Sequence, residues 1–252
     1  MIRNMSKYEQ ALLFAKLSKI AYMKPTKAKI ESKKLGFYFA EFYNADGAQA
    51  YRFQSADDTV IACRGTEPTE LNDLKADLNA WPVKSESKSR VHAGFKSEAD
   101  DLWPLLESKL RVGAVKNRDL WFTGHSLGAG MTTIMASRCF NAAHLSDPMA
   151  IFTFGSPRVG LKGYTKNLQT PHMRWVNNND IVCRVPLAIM GYKHHGTECY
   201  FDAEGVERKS NLLFKLKEFL DGIWTSGAAD PLTDHSIDGY ISNIEANLKN
   251  NL

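Results

Sequence analysis

Leu120-Trp121-Phe122-Thr123-Gly124-His125-Ser126-Leu127-Gly128-Ala129-Gly130 is the stretch on which the reading of the whole chain turns. Leu120 to Thr123 are bulky, aromatic or β-branched, as a buried strand requires. Gly-X-Ser-X-Gly follows, and then a run of small residues reaching Ala142 that suits a closely packed helix. A serine on a strained strand-to-helix turn needs that order, because glycines two positions either side relieve the crowding. Composition alone produces the pentapeptide in roughly one chain in ten of this length. The strand-turn-helix context therefore carries the argument, and it predicts Ser126 as a nucleophile rather than a turn serine.

On the N-terminal side, residues 8 to 22 place Leu12, Leu13, Ala15, Leu17, Ile20 and Ala21 on one helical stripe. Strand patterns follow at Phe37 to Phe42, Tyr51 to Gln54 and Val60 to Cys63, the first two joined through an Asp46-Gly47 turn. On the C-terminal side, apolar strands at Met149 to Phe154 and Met173 to Val176 alternate with helical stretches, the last being Asp238 to Leu248. Strands alternating with helices predict an α/β fold with a predominantly parallel central sheet and an antiparallel N-terminal portion.

Composition narrows the function classes. Hydrophobic residues at 44% and charged residues at 24% match folded domains and exclude charge-rich disorder. A chain of 252 residues buries a core without disulfide or metal staples. No repeat or linker divides it, so one domain over residues 1–252 is expected. The net charge of +4 is near balance. The basic run from Lys24 to Lys34 is interleaved with Pro25 and Ile30 and reads as a solvated face, so no nucleic-acid partner is expected. No apolar run approaches the roughly 20 residues that cross a bilayer, so no transmembrane segment is expected. Lys16 and Lys19 interrupt the early apolar patch, and no secretory signal is read in this chain. That leaves a cytoplasmic location, or secretion with the signal outside this sequence.

Cys63, Cys139, Cys183 and Cys199 lie far apart without Cys-X-X-Cys spacing, which excludes a zinc ribbon and a dithiol motif. Buried free thiols are the expectation, with a disulfide between two of them left open. There is no His-Glu-X-X-His or comparable ligand set, so neither metal nor cofactor is expected.

A serine hydroxyl needs a base to take its proton, and that base needs a carboxylate to fix its tautomer. Five histidines follow Ser126: His144, His172, His194, His195 and His235. His235 sits in a loop just before the last helix, placed to swing over the serine turn, whereas His194 and His195 read as structural residues of a turn. Asp180 follows the strand around Arg174-Trp175-Val176, and a carboxylate at the C-terminal end of a strand is where open α/β sheets assemble their sites. Its rival, Asp234, is adjacent to the histidine and better suited to capping the following helix.

These stretches together resemble the class 3 lipase family, the fungal-type triacylglycerol lipases with their feruloyl-esterase and phospholipase relatives. The likeness covers nearly the whole chain. It rests on Ala11 to Ser18, Cys63-Arg64-Gly65-Thr66, Ala76-Asp77-Leu78, Val91-His92-Ala93-Gly94-Phe95, the serine turn and Phe154 to Gly160. It continues through Asn179-Asp180-Ile181-Val182, Tyr192-Lys193-His194 and Asp234-His235. The resemblance implies an α/β-hydrolase-like fold and a Ser126, Asp180, His235 triad. It also implies an oxyanion hole formed by Thr66 and the amide of Leu127, where donors face the oxygen that becomes negative. His92 and His125 match family positions without a proton-transfer role and are read as structural.

The resemblance further implies a short helical lid over about residues 68–83. Leu71, Leu74, Leu78 and Trp81 recur there at helical spacing, with charged residues elsewhere on the wheel. Such a helix either covers an apolar cleft or packs permanently on the core. Val185 to Met190 either lines an acyl pocket or belongs to the core. Leu212 to Trp224 is a second amphipathic stretch without a clear family counterpart. The expected function is hydrolysis of acylglycerol esters through an acyl-Ser126 intermediate, with transient contact at a lipid interface and no obligate protein partner. The alternatives are a non-lipid carboxylesterase of feruloyl-esterase type, a phospholipase, or an inactive hydrolase fold used as a binding module.

Overall fold

The computed structural model describes residues 1–65, 81–115, 117–209 and 234–250. The first helix, α1 (Lys7–Ile20), is opened by a capping box in which Ser6 and Glu9 satisfy each other's backbone N–H groups. The basic run forms α2 (Pro25–Lys34), with Pro25 in its first turn and only Ala28 and Ser32 buried. The sequence pattern assigns no element to this segment, whose apolar content is too low to mark a stripe. Then come β1 (Phe39–Ala45), β2 (Ala48–Gln54) and β3 (Asp58–Cys63), the first two joined at Asp46-Gly47, where both residues take positive φ.

After β4 (Pro82–Lys84) and β5 (Arg90–His92), the helix α3 (Ala93–Leu110) leads through a short α4 (Val112–Val115) to β6 (Asp119–His125) and α5 (Leu127–Phe140). The chain continues through β7 (Pro148–Phe154), β8 (Gly160–Leu161), α6 (Lys162–Asn167) and β9 (His172–Asn177). It ends with β10 (Tyr192–Lys193), β11 (Thr197–Phe201), β12 (Glu207–Arg208) and α7 (Ile237–Asn250).

The large sheet has the order β1-β2-β3-β6-β7-β9-β11-β12. Its five central strands, β3 to β11 in that order, pair in parallel, and the antiparallel strands lie at its two edges. Every residue of β3 and β6 is buried, which explains the apolar runs Val60 to Cys63 and Leu120 to Phe122 within them. Alternation then sorts side chains between two layers. Ile61, Cys63, Leu120 and Phe122 pack with α3 and α5 on one face. Val60, Ala62, Trp121 and Phe152 pack with α1 and α7 on the other. The result is a mostly parallel sheet flanked by helices. All four cysteines are buried and free.

A second, four-stranded sheet of order β10-β8-β5-β4 is antiparallel and made of strands two or three residues long. No described helix is long and apolar enough to cross a membrane.

Candidate active site

Ser126 stands alone between β6 and α5, with φ 60° and ψ −132°. A non-glycine residue at positive φ costs about 1–3 kcal/mol, so the surroundings must enforce it. They do so from three sides. The Ser126 N–H donates to Phe154 O at 3.1 Å. A Cβ on Gly124 would lie 2.5 Å from Gly128 O, and one on Gly128 would run into Cys63 O. Both motif glycines are therefore demanded by close backbone approach. The Leu127 amide, at the first position of α5, is among the N–H groups that a helix leaves without an intrahelical acceptor.

His235 and Asp180 meet from opposite directions, 55 residues apart in the chain. Imidazole Nδ1 lies 2.9 Å from Asp180 Oδ2 and 3.0 Å from Oδ1. The carboxylate also accepts from the Val182 N–H at 2.8 Å and from the Tyr240 hydroxyl at 2.6 Å. Burial alone would raise this carboxyl, but the His235 charge and the three hydrogen bonds outweigh it and hold Asp180 below the ordinary carboxylate value. An ionised carboxylate only accepts, so His235 donates from Nδ1 and turns Nε2 away from Asp180. Buried Ser126 Oγ and His235 Nε2 have no hydrogen-bond partner among the described residues. Gly155, at φ +61°, leaves room for the pair, since a Cβ there would stand 2.7 Å from His235 Cε1 and 2.8 Å from Asp180 Oδ2.

Three residues to which the sequence reading gives no part in the site complete the arrangement. His125 stacks on His235 with ring centroids 4.5 Å apart, and its Nε2 donates to the His235 carbonyl at 2.7 Å. Burial, with the His235 charge, lowers His125 to about 3, so it stays neutral and its Nδ1 accepts from the Tyr22 hydroxyl at 2.9 Å. His125 thus orients the imidazole through its backbone, which is more than the structural filler that the sequence suggested. Tyr240, on α7, supports Asp180. The only signal for it was a tyrosine one helical turn into the helix after His235.

Asp234, expected to cap the following helix, joins two loops. Its Oδ2 accepts from Asn179 N at 3.2 Å and Asn178 Nδ2 at 3.3 Å, tying the histidine loop to the aspartate loop. The remaining histidines lie elsewhere. His92 caps α3 by accepting from Phe95 N, and His144 pairs with Glu107. His172 bonds Thr153, His194 bonds Cys183 O, and His195 bonds Leu168 O.

Thr66, Leu71, Leu74 and Leu78, and the stretch Leu212 to Trp224, lie outside the described residues. Trp81 is 76% exposed, and Pro82 and Val83 belong to β4, so the last residues of the expected lid are strand and not helix. The physical reason is pairing: Pro82 and Val83 stand opposite His92 and Val91. Leu187, Ile189 and Met190 are exposed, which removes the reading of that run as core. Among the described residues, no group of three or more His, Cys, Asp or Glu is arranged to hold a metal ion.

The family model for lipase (class 3) matches residues 60–190. The secreted mono- and diacylglycerol lipase A of Penicillium cyclopium is 29% identical over 154 residues, covering 60% of this chain and 45% of its own. A lipase of Rhizomucor miehei is 28% identical over 160 residues, covering 60% and 44%. Toxin TseL of Vibrio cholerae serotype O1 is 26% identical over 194 residues, covering 60% and 30%. The chain thus spans less than half the length of each of these relatives. Among solved structures, a triacylglycerol lipase with a serine-protease triad as its catalytic centre superposes with a TM-score of 0.68 at 22% identity, over 79% of this chain and 82% of that one. Lipase II from Rhizopus niveus gives 0.66 at 21%, over 78% and 81%. The fold is α/β-hydrolase-like.

Proposed function

The chain belongs to the class 3 lipase family, and from that premise we propose that it hydrolyses acylglycerol esters through an acyl-enzyme at Ser126. The observation that carries the proposal is the buried imidazole of His235, whose Nδ1 is held by an ionised carboxylate and whose Nε2 has no partner among the described residues, together with a strained serine at the β6–α5 turn whose Oγ has none either.

The chemistry runs as acyl transfer. Ser126 Oγ attacks the ester carbonyl as His235 Nε2 takes its proton, and Asp180 stabilises the imidazolium without itself being protonated. The oxygen of the tetrahedral intermediate turns to the Leu127 amide and to Thr66, donors of a kind whose single removal costs about 100- to 1000-fold in turnover. Collapse of the intermediate breaks the bond to the alcohol, which leaves with the proton from His235. Water then repeats the sequence on the acyl-Ser126 ester and releases the fatty acid. The substrate class is proposed from relatives named as mono- and diacylglycerol and triacylglycerol lipases. The apolar positions Leu71, Leu74 and Leu78 are proposed to shield the cleft in water.

The test is a series of p-nitrophenyl esters from short to long acyl chain, run beside acylglycerol and phospholipid emulsions, with a serine-directed phosphonate as covalent probe. We expect turnover of the esters and of the acylglycerol emulsion, and a single adduct at Ser126. An adduct on another serine, or no hydrolysis of any ester, overturns the proposal.

A further inference from the structure

One end of the small sheet gathers charge that no single stretch of sequence displays. In register, Lys84 stands opposite Arg90, and Gly160 stands opposite both Val91 and Lys193, which sets Leu161 beside Arg90 on one side and opposite Tyr192 on the other. Beyond this row come three loops. The turn of the β4–β5 hairpin carries Lys88, and α6 begins with Lys162-Gly163, whose glycine packs against the Ser89 side chain. The third is the turn Leu187 to Gly191, and Gly191 lies against Leu161.

Lys84, Lys88, Arg90, Lys162 and Lys166 are all exposed, and none forms an ion pair with a described residue. The acid of the hairpin turn, Glu86, is directed inward, where the Ser137 hydroxyl donates to it. Five cations from two separate segments, residues 84–90 and 162–166, are thereby brought to one end of one small sheet. Against it stands a hydrophobic tip: Ile189 is 92% exposed, with Leu187 and Met190 also exposed. Two chain segments connect this end to the proposed triad, residues 155–161 from Gly155 and residues 180–191 from Asp180.

We propose that this end of the small sheet docks on an anionic lipid surface, with Leu187, Ile189 and Met190 entering the headgroup region and the five basic side chains contacting the lipid phosphates. The inference rests on the lipase reading and names the surface from which that site draws its substrate. Charge alone would suit any polyanion. Three apolar side chains within four residues gain nothing from a nucleic-acid backbone, whereas a bilayer boundary accepts them and the surrounding cations together.

The test is flotation of the full chain with vesicles of phosphatidylcholine alone and of phosphatidylcholine mixed with phosphatidylglycerol. Tighter binding to the anionic vesicles is expected, abolished in about 1 M NaCl, where the screening length falls to about 3 Å. The triple variant K84Q/R90Q/K162Q should weaken binding by about 100-fold, since each cation near such a surface is worth roughly a factor of five. Ile189→Ser should weaken it several-fold on its own. Cooperative melting transitions no lower than the parent's confirm that the variants fold. Equal binding to the two vesicle types, or anionic binding untouched by the triple variant, overturns the proposal. So does capture of a short DNA duplex that depends on the three charges while Ile189→Ser leaves vesicle binding intact. Hydrolysis of a soluble p-nitrophenyl ester, measured without vesicles on the same proteins, separates the two ideas. Vesicle binding as expected with no hydrolysis supports the surface and sinks the lipase reading, and hydrolysis without vesicle binding sinks the surface alone.

Discussion

The two sheets divide the molecule's work by how deeply they are buried. The large sheet encloses its polar groups: Ser126, Asp180 and His235 are nearly inaccessible, and the last two are fixed by hydrogen bonds counted in single ångströms. The small sheet has strands of two or three residues, and its exposed cations form no ion pair with a described residue. Low dielectric strengthens each interaction in the first setting, and screening weakens each in the second. A substitution in the large sheet should therefore change the chemistry itself, while one in the small sheet should change where the molecule goes.

The sharpest way to break that contrast is at the elbow. Ser126→Ala should reduce ester turnover by at least about 10⁴-fold, because the covalent route is lost while the fold persists. Asp180→Asn should cost about as much, since an amide favours the wrong imidazole tautomer. Burst kinetics and steady-state turnover check both. Residual activity above a few per cent in either variant would move the chemistry away from the large sheet.

How far the sequence alone could go follows the same division. The elbow, α1, α5 and the strands β3, β6, β7 and β9 were legible, because runs of six or more residues express a period. Asp180 and His235 were legible because they lie next to such runs. α2 was missed although Pro25 marks its start, since its apolar content is too low to reveal a stripe. The small sheet was invisible, as strands as short as Gly160–Leu161 carry no period at all. Tyr240 and Asp180 are 60 residues apart, and Tyr22 and His125 are 103 apart, so only the fold brings each pair together. The basic end of the small sheet is assembled from distant segments in the same way, whereas Lys24 to Lys34 is contiguous in the sequence.

Acid should strain both sheets. Burial holds His92 at about 4, and burial with neighbouring positive charge holds His125 and His194 at about 3. Their unfolded value is about 6.5, so below it the unfolded chain binds more protons than the folded one. Stability is then complete above pH 6.5 and declines as the pH falls toward 3. Each such histidine contributes a slope of up to about 1.4 kcal/mol per pH unit. Urea midpoints between pH 7.5 and pH 5 should drop accordingly, and His194→Gln should flatten the slope by up to one proton. A flat profile in the parent protein would show that these rings reach water.

A smaller effect tests the positioning chain. Tyr22→Phe removes the donor to His125 Nδ1 and leaves the rest of the site in place. A hydrogen bond of this kind is worth about 1 kcal/mol net, so kcat should fall about fivefold with KM unchanged. A rise in KM with kcat preserved would place Tyr22 in substrate binding instead.

The smallest expected effect lies at the exposed end of the small sheet. Lys84 and Arg90 stand directly opposite each other on neighbouring strands, and like charges in that position destabilise a sheet. Lys84→Glu replaces repulsion with attraction and should raise stability by about 0.2–1 kcal/mol at low salt. The gain should shrink as salt screens the pair, because both side chains are exposed. Soluble-ester turnover should not change, since neither residue touches the triad. If the pair is kept for docking, the same substitution makes the protein more stable and a weaker vesicle binder. A stabilised variant that binds vesicles as well as the parent would mean that the repulsion serves no docking role, and the contrast between the sheets would then rest on burial alone.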